Sequence, residues 1–102
     1  MAVEVTIGDK TFRLRELTFG DLLSIIEAGT ENVFDPSGAV RQVTNIKKLS
    51  IAIIKYCVEG VADASGVRRL TEQDILSMPA AVAVRLVDEC RRLNPFLAMA
   101  ST

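Results

Sequence analysis

Residues 41–60, RQVTNIKKLSIAIIKYCVEG, form the longest stretch with helical periodicity, and their reading sets the fold class. Ile46, Leu49, Ile53 and Cys57 recur at helical spacing, while Ile51, Ile54 and Val58 widen the stripe around the cylinder. The spacing predicts a helix over 41–59, closed by Gly60. A helix this apolar is either central to its fold or covered by a second subunit. It is not a membrane span: Lys55 interrupts it, Lys47 and Lys48 precede its greasiest part, and it falls short of the ~20 apolar residues needed.

Working outward, TENVFDPSGA (residues 30–39) carries turn chemistry at Asp35-Pro36 and Ser37-Gly38, which predicts a mobile loop. Before it, Thr18 with Asp21 three residues on resembles a capping box opening a helix over about 19–28. Leu22, Leu23, Ile25 and Ile26 would form its buried face, and Gly29 its stop. At the N-terminus, VEVTI and KTFRLREL alternate around Gly8-Asp9, predicting a hairpin over 2–17 with Gly8 at positive φ. A lone hairpin is marginal in water, so its apolar face is expected to lie on the helices.

Downstream, VADASGV (residues 61–67) reads as a second loop. Thr71 then caps a short helix over about 72–78, with Glu72 and Asp74 in the first turn, where carboxylates suit the dipole. Pro79 ends that helix and starts another over 79–93, because its missing N–H is harmless in a first turn. Val82, Leu86, Cys90 and Leu93 share one face of it, and Asn94-Pro95 closes it. The expected fold is therefore α+β and mostly helical, an N-terminal β-hairpin packed on three to four helices. Residues 1–95 would make a single globular domain, and 96–102 an apolar C-terminal tail.

The totals narrow the function. The chain has 102 residues, 49% apolar and 25% charged, a composition for one ordinary globular domain. Twelve basic residues against thirteen acidic ones leave a charge of −1, with no electrostatic footprint for nucleic acid or an anionic membrane. MAVEVTIGDK has neither the basic flank nor the apolar run of a secretory signal, so a cytosolic location is expected. Cys57 and Cys90 fit two buried thiols better than a disulfide.

Catalytic chemistry finds little to use. There is no histidine, no CxxC pair, and no glycine-rich loop leading into Lys-Ser or Lys-Thr. Glu72 with Asp74, or Asp88 with Glu89, are the remaining carboxylate pairs, and both are explained as decoration of helix starts and polar faces. Arg68-Arg69 and Arg91-Arg92 lack interleaved aromatics and read as solvated surface. No enzyme activity, metal or cofactor is expected. What leans toward binding is apolar: Ile51, Ile54 and Val58 on the long helix, and Phe96, Leu97 and Met99 in the tail. The choice between the two stays open, as does self-association into a homo-oligomer.

The order of parts, LTFGDLLSIIEAG, then IIKYCVEGV, then LTEQDILSMPAAVAVRLVDECRRLNP, resembles the small tail assembly chaperones of long-tailed bacteriophages. The last block carries most of the likeness, through Leu70-Thr71, Asp74-Ile75, Met78-Pro79 and Leu93-Asn94. The resemblance implies a non-enzymatic protein of the infected host's cytoplasm that coats the tape-measure protein. It also implies help in bringing tail-tube subunits to that client, and departure before the tail is complete. The alternative is a structural tail or baseplate component retained in the virion. The family has no catalytic residues to carry over.

Overall fold

Alternation at the N-terminus builds strands β1 (Ala2–Ile7) and β2 (Lys10–Arg15), antiparallel around a two-residue turn in which Gly8 takes φ 65°. The computed structural model describes residues 2–97. Thr18 and Asp21 form a reciprocal capping box at the head of helix α1 (Phe19–Ala28): the Asp21 N–H donates to Thr18 Oγ1 at 3.1 Å, and the Thr18 N–H to Asp21 Oδ2 at 2.9 Å. Two orphan donors of the first turn are thereby satisfied.

The next segment corrects the expected fold class. The fold is α+β but not mostly helical: 44% of the described residues are helical and 32% lie in strands, with six strands in two sheets beside four helices. Residues 30–44 form a hairpin of β3 (Thr30–Phe34) and β4 (Val40–Thr44), where a loop and the start of the long helix were expected. Asp35 builds its turn, with Oδ1 accepting from the Ser37 N–H, the Ser37 hydroxyl and the Ala39 N–H at 2.9, 2.6 and 3.0 Å. Helix α2 (Ile46–Cys57) starts only after Asn45, whose Oδ1 accepts from the Lys48 N–H at 3.0 Å.

At its other end, α2 passes directly into β5 (Val58–Asp63), which turns through Ala64-Ser65 into β6 (Gly66–Arg68). Asp63 holds that turn through Ser65, as Asp35 does through Ser37. Gly60, expected to stop the helix, lies within β5 opposite Arg13. Val58 is strand because its backbone pairs with Leu14, a partner 44 residues distant that no local pattern reports. Helices α3 (Glu72–Leu76) and α4 (Ala80–Leu93) complete the chain, α3 under a second capping box of Thr71 and Asp74.

The larger sheet runs β1-β2-β5-β6, all antiparallel, while β3 and β4 pair, among the described residues, only with each other. Phe12, Leu14 and Val61 present one buried face of the larger sheet. They join Ile25 of α1, Leu49, Ile53 and Cys57 of α2, Ile75 of α3, and Leu86 and Cys90 of α4 in one apolar cluster. Helices α1 and α2 meet closely at Gly29. A Cβ there would stand 2.8 Å from Leu49 Cδ1, 2.9 Å from its Cβ and 3.1 Å from its Cα.

Candidate functional site: an apolar groove between two helices

Helix α2 buries Leu49, Ala52, Ile53, Ile54 and Cys57, which leaves Ile46 and Ile51 toward α4 with the buried Ile54 beneath them. Helix α4 buries Leu86 and Cys90, which places Val84 and Val87 on the side toward α2. Between the two lies an open groove of about 320 Å³, floored by Ile54 and Ile75. Ile46 and Ile51 form one wall, Val84 and Val87 the other, and Ser50, Asp88 and Arg91 stand at the rim. Ile46 is 77% and Val84 61% exposed, so the groove leaves uncovered apolar surface in water.

Its walls are held from below. Asn94, only 1% exposed, ends α4 and ties it to both the sheet and α2. Its Oδ1 accepts from the Leu17 N–H at 2.9 Å, while Nδ2 donates to the carbonyls of Arg15 at 3.2 Å and Cys90 at 3.3 Å. Nδ2 also lies 3.6 Å from Cys57 Sγ, and the Cys57 thiol donates to the Arg15 carbonyl at 3.6 Å. Both cysteines are buried free thiols. The hydrogen-bonded neighbour Cys57, together with burial, pushes the Cys90 thiol well above the ordinary range. This pair is core, not reactive chemistry.

A wider cleft of about 570 Å³ lies on the other side of α2, between Arg15, Lys55, Tyr56, Glu59 and Arg69. Two of its charges are engaged in structure: Arg15 pairs with Asp21 at 2.9 Å, and Glu59 with Arg13 at 3.1 Å. The Arg15 guanidinium, with the Thr18 N–H, holds the Asp21 carboxyl down to about 2. Val58 and the Tyr56 ring are its apolar lining, set among four charged side chains, so it is a more polar face than the groove.

The carboxylates do not converge. Asp74 receives the Thr71 N–H at 2.9 Å and Arg68 Nη1 at 2.8 Å, and those contacts hold its carboxyl below the usual range. Glu89 pairs with Arg92 at 2.8 Å, and Asp88 stands apart at the groove rim. Among the described residues no group of three or more His, Cys, Asp or Glu side chains is placed to hold a metal ion.

The residues singled out from the sequence fall in three places. Ile51 and Ile54 line the groove. Val58 is not within the helix; it caps the C-terminus of α2 as the buried first residue of β5 and lines the second cleft, not the groove. Phe96 packs half-buried against the core and Leu97 is fully buried, so the latter offers no surface to a partner. Met99 lies outside the described residues. Sequence reasoning missed Val84 and Val87 as groove walls. Their signal was an apolar side chain just off the face defined by Val82, Leu86, Cys90 and Leu93. Comparison with protein-family models, curated proteins and solved structures gave no match.

Proposed function

We propose that the chain is a non-enzymatic phage tail assembly chaperone that binds the tape-measure protein and helps recruit tail-tube subunits in the host cytoplasm. The observation that supports this reading is the groove between α2 and α4, where Ile46 and Val84 are exposed and Ile51 and Val87 are only partly covered by the chain's own core. A long helical client must hide its apolar stripe before assembly, and a groove between two helices suits a third amphipathic helix. Weak single contacts repeated along such a client add up through multivalency. Among the described residues no helix is long and apolar enough to cross a membrane.

The second reading, a tail or baseplate component retained in the virion, is favoured by the β3–β4 hairpin. Phe34 and Val40, paired next to its turn, are 71% and 55% exposed. A projecting apolar pair of this kind suits either a permanent neighbour or a second copy of the chain. Mass spectrometry of purified virions beside infected-cell lysate separates the two. Abundance in lysate with absence from particles supports the chaperone. A fixed copy number in every particle overturns it in favour of the retained component.

A further inference from the structure

We infer that the groove is built for an amphipathic helix that carries carboxylates along the flank facing α2. The inference rests on reading the groove as a client site and adds the chemistry of the client. Lys47, Ile51 and Lys55 follow one another at four-residue spacing, so they form a single ridge along α2. Ile51 is the part of that ridge lining the groove. On its other side it borders a hollow with Lys48 and Lys55.

All three lysines are exposed, and α2 contains no acidic residue from Ile46 to Cys57. Lys48 is engaged by Glu31 at 2.8 Å, whereas Lys47 and Lys55 have no ion-pair partner among the described residues. Arg69 adds a further cation beside Lys55 in the neighbouring cleft. Two acids oppose them nearby, Glu72 in the hollow and Glu59 in the cleft, the latter already paired with Arg13. The α4 flank is balanced instead, with Asp88 and Arg91 one turn apart.

In a chain of net charge −1, two unpaired lysines thus flank Ile51 on the ridge that borders the apolar groove. Lys47 and Lys55 are two turns apart, roughly 12 Å along the axis. A helix lying beside α2 meets both when it carries acids at i and i+7 or i+8. Its apolar face then fills the space over Ile54 and Ile75. Charge decides the orientation and the choice of partner, and apolar contact supplies most of the affinity.

The test uses four synthetic 18-residue helical peptides and the full chain. Three share one leucine face and carry Glu, Gln or Lys at the two flank positions. The fourth keeps the Glu flank but has its leucines scrambled around the helix. Binding is read by fluorescence anisotropy at low and at moderate salt. The Glu peptide is expected to bind about ten-fold or more tightly than the Lys peptide at low salt, with the gap narrowing as salt screens it. The double variant Lys47→Glu, Lys55→Glu should reverse the order, and Val84→Asp should weaken all the leucine-faced peptides. Equal affinity for the Glu and Lys peptides overturns the acidic flank while leaving the groove in place. Equal affinity for the scrambled peptide reduces it to charge attraction and also overturns it. Failure of every peptide to bind overturns the client-site reading itself.

Discussion

Removing the Asn94 side chain tests whether one buried amide joins the sheet to the helices that frame the groove. In Asn94→Ala, the Leu17 N–H loses its 2.9 Å acceptor, and the Arg15 and Cys90 carbonyls lose donors at 3.2 and 3.3 Å. A buried polar group left without a partner costs about 1–3 kcal/mol. The Leu17 N–H and the Arg15 carbonyl are half-buried and recover part of that from water, so the expected loss is about 2–4 kcal/mol, including lost packing. Against a total stability of roughly 5–15 kcal/mol this is a large fraction. Urea unfolding followed by far-UV circular dichroism measures it as a drop in midpoint at unchanged slope. Asn94→Asp sharpens the test. It keeps the acceptor for Leu17 but turns a carboxylate toward the Arg15 and Cys90 carbonyls, so burial and repulsion raise the new group's pKa. The penalty is therefore full at neutral pH and shrinks as pH falls through that raised pKa. A loss below about 0.5 kcal/mol for Asn94→Ala, a surface-like value, would refute the reasoning.

Further outcomes follow from particular contacts. Gly29→Ala should destabilise by about 1–3 kcal/mol in the same urea assay, because the new Cβ meets Leu49 Cβ and Cα, which cannot move aside without shifting α2. Leu97→Ala should cost roughly 2–4 kcal/mol, since that side chain is wholly buried, and a tail serving only a partner would show no loss. Asp21 has its pKa lowered from 3.8 to about 2, so its stabilisation is complete above pH 4 and lost as pH falls toward 2. Asp21→Asn should thus be less stable than the native chain by roughly 1 kcal/mol at pH 6, allowing for solvent screening, with the gap closing near pH 2 in thermal unfolding. Val84→Asp, at a 61% exposed position, should leave the urea midpoint nearly unchanged, so any loss of binding reports on the groove.

The parts of the fold legible in the sequence are those with local chemistry. Thr18 with Asp21, and Thr71 with Asp74, announce their helices because both halves of each capping box lie within four residues. Gly8-Asp9 announces the first hairpin for the same reason. Residues 30–44 hide theirs. Phe34 and Val40 share one face with the polar Asn32 and Gln42, so no clean apolar alternation appears. Asn45 is the true cap of α2, and the apolar stripe named from the sequence begins just after it, at Ile46. Val58 and Val61 become strand through pairing with Leu14 and Phe12, a nonlocal event. Of the groove, the α2 wall was visible as excess apolar surface around Ile51 and Ile54. The α4 wall was not, because Val84 looks apolar in sequence and only packing shows that the core leaves it out.

The most direct measurement is solubility of the tape-measure protein on co-expression with this chain, native or carrying Val84→Asp. The account predicts that the native chain keeps the client in the soluble fraction and co-purifies with it. The folded Val84→Asp variant should leave the client insoluble. Equal rescue by both chains, or rescue by neither, would contradict the claim that the α2–α4 groove holds the client.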